Sequence, residues 1–79
     1  MAKQAWQVWT RVNRPDVLEY QGEVGGMICE LWWDDQAGVK PGWCVRINPG
    51  TRQEQDVSVK GRRDSALTTL HRNVLKALR

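Results

Sequence analysis

The chain has 79 residues, twelve Lys and Arg against nine Asp and Glu, and a formal net charge of +3. This length suits one domain, so we treat residues 1–79 as a single domain. Hydrophobic residues make up 41% of the chain, which excludes a disordered protein. No apolar run reaches the roughly 18 residues that cross a bilayer, which excludes a helical membrane protein. The first residues lack the apolar segment of a secretory signal, so we expect a cytoplasmic protein without a membrane partner.

The first predicted strand covers residues 5–12, where apolar and polar side chains alternate. Alternation of this kind is typical of a half-buried strand. We expect Trp6 and Val8 to face the core. Trp9 and Arg11 then lie together on the opposite side of the strand.

Four more strands are predicted over 17–24, 27–34, 43–48 and 54–60. The stretch 27–34 is the strongest of them. Its alternation places one set of side chains toward the core and the other toward solvent: Met27, Cys29, Leu31 and Trp33 on one face, and Ile28, Glu30, Trp32 and Asp34 on the other.

A C-terminal helix follows, with Asp64 or Ser65 as its N-cap. Its apolar stripe at i, i+3, i+4 spacing contains Ala66, Leu67, Leu70, Val74, Leu75 and Leu78, while Arg72, Asn73, Lys76 and Arg79 face away. The sequence therefore predicts an α+β fold, an antiparallel four- to five-stranded meander packed against one C-terminal helix (β-β-β-β-α). The helix covers one face of the sheet, and the other face, called the open face below, is left to solvent or a partner.

The residues needed for catalysis or metal binding do not form a known pattern. Cys29, Cys44 and His71 contain no C-x-x-C unit and lack a fourth ligand, which argues against zinc. Asp34 and Asp35 are adjacent, so on a strand they would point to opposite faces. No nucleotide-binding or nucleophile motif occurs. We predict a non-enzymatic protein without metal or cofactor, with both cysteines reduced unless neighbouring strands bring them together.

Charge is distributed unevenly along the chain. Residues 15–41 carry six acidic residues against Lys40 alone, whereas residues 42–79 carry eight Lys and Arg against three acidic residues. Cations that meet phosphates, interleaved with rings that stack on bases, are typical of nucleic-acid binding. We therefore predict a nucleic-acid-binding module whose contacts are Trp9, Arg11, Arg46, Lys60, Arg62 and Arg63.

Two segments resemble nucleic-acid-binding families in layout. The series Trp33, Gly38, Gly42-Trp43 and Arg46-Ile47 is similar to the pattern of AP2-like and integrase arm-binding domains. The basic run 60–63, followed by the Ala- and Leu-rich helix, is similar to the end of a double-stranded RNA-binding domain, although the lysine pair and N-terminal helix of that family are absent. Both resemblances imply binding to a nucleic acid.

The alternative is a module that binds a protein. Its anchors would be Trp9 and Trp32, with Glu30, Asp34 and Asp35 facing a basic partner. Small proteins of phages and mobile elements that inhibit a host protein, such as anti-CRISPR proteins, are of this size. A homodimer through the open face would use the same tryptophans. A surface that mixes acidic and basic side chains would disfavour nucleic acid.

Overall fold

The computed structural model describes residues 3–38 and 40–79. Five antiparallel strands form one sheet in the order β1-β2-β3-β4-β5. The predicted α+β meander with one C-terminal helix is confirmed, and a short N-terminal helix is added to it. The elements in chain order are α1 (Ala5–Val8), β1 (Trp9–Arg11), β2 (Glu19–Val24), β3 (Met27–Asp34), β4 (Gly42–Ile47), β5 (Gln55–Val59) and α2 (Leu67–Ala77).

The prediction of a strand from residue 5 is wrong for the four residues of α1. Ala5, Val8 and Trp9 are spaced at i, i+3 and i+4, so one helical turn directs all three toward the interior. Ala5 and Trp9 are buried, whereas Trp6, which we expected in the core, is 73% exposed. The pattern of four residues fits the two-residue period of a strand as well as the 3.6-residue period of a helix. The burial of both Ala5 and Trp9 favours the helical period.

The core lies between the sheet and α2. Leu31 of β3 and Val45 of β4 are fully buried in one cluster with Leu70 and Val74 of α2. Complete burial of such side chains contributes about 1.5–3 kcal/mol each. The predicted strand alternation and the centre of the helical stripe are thus confirmed, because they place these four residues together.

Trp43 of β4 joins the sheet to the segment that enters α2. Its Nε1–H donates a hydrogen bond to the Arg62 carbonyl at 2.7 Å, and its ring meets the Trp33 ring edge-on with centroids 5.7 Å apart. Gly61 leaves room for this contact, since a Cβ there would lie 3.2 Å from Trp43 Cδ1 and 3.0 Å from Leu70 Cδ2. The φ of Gly61 is +149°, which also favours glycine.

The start of α2 differs from the prediction. Ala66 is the N-cap, and neither Asp64 nor Ser65 caps the helix. Ser65 Oγ instead accepts a hydrogen bond from the backbone N–H of Arg62 at 2.8 Å. This bond stabilises the turn before the helix, so the Ser65 hydroxyl accepts from the turn and not from the first N–H groups of α2.

The outer side of α2 also departs from the predicted stripe. Asn73, expected to face away, is half-buried and donates a side-chain hydrogen bond to the Lys60 carbonyl at 2.8 Å. This bond fastens the middle of the helix to the end of β5. Leu75, expected in the stripe, is exposed. In the described part of the chain, no helix combines the length and apolarity that crossing a membrane requires.

The two cysteines lie on neighbouring strands but on opposite faces. Cys29 is buried on the core side opposite Ile47, whereas Cys44 is half-buried on the open side opposite Trp32. Both thiols are free, and burial raises the pKa of each. Because the sheet separates the two side chains, they cannot form a disulfide with each other.

Gly22 of β2 is the position where an added methyl group would be least tolerated. A Cβ there would lie 2.5 Å from the Val8 carbonyl oxygen and 2.9 Å from Trp9 Cε3. We expect Gly22→Ala to displace α1 and β1 and to lower the free energy of unfolding by about 1–3 kcal/mol, measured by urea denaturation. Gly42→Ala is the matched control, because a Cβ there meets nothing within 4 Å. Equal losses in both variants would contradict this role for Gly22.

Candidate functional site

We predicted Trp9 and Arg11 on the open face, and this prediction is wrong. The register places Trp9 beside Gly22 and Arg11 beside Tyr20, on the side of the sheet that carries the core. Trp9 is 3% exposed, and its Nε1–H donates to His71 Nδ1 at 3.0 Å. The Arg11 guanidinium lies over the Tyr20 ring, 5.6 Å from its centroid. Trp9 therefore cannot stack on a base or anchor a partner in this conformation.

The open face is strongly acidic. Of its side chains in the described strands, five are carboxylates and Arg46 is the one cation. The middle of the chain, which is acidic in sequence, supplies β2 and β3, so the sheet gathers this charge on one side. The open face consists of Thr10, Glu19, Gln21, Glu23, Ile28, Glu30, Trp32, Asp34, Cys44, Arg46, Asp56 and Ser58.

Two apolar side chains of β3 lie among these carboxylates. Ile28 is 56% exposed, and Trp32 is half-buried four residues further along the same strand. Glu30 lies between them on the same side. An aromatic side chain surrounded by polar and charged groups is typical of protein-binding surfaces.

Arg46 is engaged by its neighbours on the open face. Its Nε and Nη2 donate to the two carboxylate oxygens of Asp56 at 2.8 and 3.0 Å. Its guanidinium also lies over the Trp32 ring, 5.2 Å from the centroid. The bidentate pair neutralises the cation and fixes the indole from one side. Arg46 thus positions Trp32 instead of standing free for a phosphate.

An acidic cleft of about 220 Å³ opens at the end of β3 beside Trp32. We define it by its charged and aromatic lining, which is Asp16, Trp32, Trp33, Asp34, Asp35 and Arg63. Three carboxylates face one guanidinium, so the cleft keeps a negative charge. Asp34 Oδ1 accepts a hydrogen bond from the Gln36 backbone N–H at 3.3 Å, which holds this carboxylate in place. Across residues 3–38 and 40–79, no set of three His, Cys, Asp or Glu is arranged to hold a metal ion.

The predicted basic group at residues 60–63 is exposed but does not form one surface. Lys60 and Lys76 of α2 line one hollow beside the end of β5. The Arg62 carbonyl is held by Trp43, while Arg63 lines the acidic cleft. The structure therefore separates these cations from Trp9, Arg11 and Arg46, the other residues predicted to bind nucleic acid.

The residues predicted for protein binding are better grouped. Glu30, Trp32 and Asp34 share the open face, and Asp35 lines the acidic cleft next to them. Of that set, Trp9 alone lies elsewhere. The sequence analysis missed Asp16, which reaches the cleft from the loop before β2, because alternation within strands carries no information about loops.

Comparisons with protein-family models, with curated proteins and with solved structures find no match for this chain. They give no support to the resemblance to AP2-like, integrase arm-binding or double-stranded RNA-binding domains.

The pair between Arg46 and Asp56 predicts a pH dependence of stability. Hydrogen bonds from Arg46 lower the pKa of Asp56 from its ordinary value of 3.8. A carboxyl group whose pKa is lower in the folded state stabilises the fold above its unfolded pKa, and this contribution is lost as the pH falls below 3.8.

We expect Asp56→Asn to unfold at lower urea concentration than the native chain at pH 7, with the difference shrinking as the pH falls below 3.8. In an Arg46→Ala background, the same substitution should have little effect at either pH, because the partner is gone. A difference that does not shrink as the pH falls below 3.8 would contradict the pairing.

Proposed function

We propose that this protein is a non-enzymatic binding module that uses its open face and acidic cleft to bind a basic surface of another protein. The observation that carries the proposal is the position of Trp32. Its half-buried indole lies on the open face with Glu30 and Asp34 and also lines the acidic cleft with Asp35. A tryptophan at the centre of a polar rim is the usual anchor of a protein interface.

The acidic cleft favours one kind of contact in particular. A lysine or arginine side chain of a partner would meet the carboxylates of Asp16, Asp34 and Asp35 together with the part of the Trp32 indole that Arg46 leaves uncovered. Carboxylates attract the cation, and the indole adds a cation–π contribution that strengthens when water is excluded. The cleft would therefore fix the register of the partner on the open face.

Nucleic acid is disfavoured on the open face. Four carboxylates besides Asp56 would repel a phosphate backbone, and Arg46 is already paired with Asp56. The charge fits the opposite class of partner, a protein whose basic surface ordinarily binds a polyanion. By occupying that surface, a small module in the cytoplasm would inhibit its partner, which agrees with a role of the phage or mobile-element type.

A peptide experiment tests this proposal. We expect the native chain to bind a ten-residue peptide rich in lysine and arginine, and Asp34→Asn with Asp35→Asn to weaken binding by about tenfold, measured by calorimetry at physiological salt. Trp32→Ala should weaken it as well, with Trp6→Ala as its control. The matched charge control is Glu54→Gln with Asp64→Asn. Equal weakening by both double variants would show unspecific charge attraction and contradict the cleft as the site.

Binding to nucleic acid through the loop that precedes α2 is the second candidate function. The observation that favours it is the exposure of the adjacent Arg62 and Arg63 in this loop. Lys60 lines a separate hollow, and Arg63 also lines the acidic cleft. Backbone N–H groups at the start of α2 would add to such a site.

This second candidate predicts quenching of tryptophan fluorescence by oligonucleotides that saturates and weakens steeply as salt rises. Arg62→Ala with Arg63→Ala should weaken binding of every sequence about tenfold, whereas Arg72→Ala with Arg79→Ala, an equal change in charge on α2, should have less effect. A flat fluorescence response at low salt would remove nucleic acid from consideration.

A further inference from the structure

Strand β5 forms one edge of the sheet and has backbone hydrogen-bonding groups that no other described strand uses. Strand β5 pairs with β4 on one side, and among the described residues no strand pairs with its other side. Alternate backbone N–H and C=O groups of its five residues therefore point outward. The opposite edge, β1, has three residues, so β5 is the longer free template.

A groove runs along this free edge, between β5 and the C-terminal half of α2. It consists of two adjoining hollows of about 270 and 350 Å³ that share Ala77 in their linings. Its apolar floor comes from Val57, Ala77 and Leu78, which are partly buried against the core. We call this the edge groove and define it by these three residues together with Lys60, Lys76 and Arg79.

The edge groove is basic. Lys60 and Lys76 line one hollow and Arg79 lines the other, and among the described residues no acidic side chain lines either. Asp56 is the acidic residue of β5, and its side chain points to the open face, where Arg46 binds it. Three cations therefore stand around an apolar floor beside a free strand edge.

We propose that the edge groove binds an acidic, extended peptide segment of a partner, which adds to β5 as a sixth strand. Main-chain hydrogen bonds to β5 would supply affinity, and side chains on one side of the added strand would supply specificity. Successive residues of a strand alternate in direction, so side chains two positions apart face the groove together. An apolar residue would rest on Val57 and Ala77, and acidic residues two positions before and after it would reach Lys60, Lys76 and Arg79.

A second copy of this chain fits the edge groove less well. Pairing of β5 with its own copy would bring a second Lys60, Lys76 and Arg79 into the same groove, where like charges repel. An acidic segment removes that repulsion, so charge complementarity decides between the two occupants. The edge groove adjoins the open face at Ser58 but shares no lining residue with the acidic cleft. The proposal does not rest on the function proposed above.

The test uses a labelled, C-terminally amidated peptide, Gly-Glu-Thr-Val-Thr-Glu-Gly, and fluorescence anisotropy. We expect saturable binding to the native chain and about tenfold weaker binding to the variant with Lys60→Ala and Lys76→Ala. The matched control is Lys3→Ala with Lys40→Ala, which removes the same charge outside the edge groove. Asp34→Asn with Asp35→Asn should leave peptide binding unchanged, which keeps this test independent of the acidic cleft.

Two further measurements distinguish strand addition from simple charge attraction. Methylation of alternate backbone nitrogens in the peptide should abolish binding when it blocks the N–H groups that face β5. Hydrogen exchange should show new protection of the outward-facing amides within Gln55–Val59. Absence of binding to the native chain, equal weakening by both lysine pairs, or tight binding of every methylated peptide would overturn the proposal. A stable dimer through β5 in sedimentation would overturn it as well.

Discussion

The hydrogen bond from the Trp43 indole to the Arg62 carbonyl is the constraint on which the arrangement of surfaces depends. At 2.7 Å it connects the central part of the sheet to the loop that leads into α2, and Gly61 provides the space for it. With this loop fixed, α2 lies across the core face. Asn73 of α2 also donates a hydrogen bond to the Lys60 carbonyl at the end of β5. Within residues 3–38 and 40–79 the open face is left uncovered, because α2 packs on the other side of the sheet.

Two differently charged surfaces follow from this arrangement. The pleat of β2 and β3 gathers carboxylates on the open face, while the end of β5 and the outer side of α2 gather lysines and arginines at the edge groove. Arg46 would break this separation, but Asp56 neutralises it and Trp32 lies against it. A formal net charge of +3 therefore describes neither surface.

Strand alternation and the helical stripe were sufficient to predict the fold and the membership of the open face from Ile28 to Asp34. The placement of Trp9 could not be predicted in the same way, because the first four residues of that segment fit a helix turn as well as a strand. The pairing of Arg46 with Asp56 depends on the register between β4 and β5, which local pattern does not contain. The acidic cleft depends on the loop before β2, which brings Asp16 close to Trp32. Strand alternation carries no information about the path of that loop.

The separation of charge onto different sides gives the molecule an electric dipole, and this affects how it meets a partner in solution. A basic protein of the same sign of net charge would be repelled at long range, yet the local field would rotate the small module so that its sheet leads the approach. Orientation of this kind raises the rate of productive encounters without new contacts in the final complex. At physiological salt the Debye length is about 8 Å, which screens much of that advantage. Association would therefore be faster in more dilute buffer, while dissociation would change little.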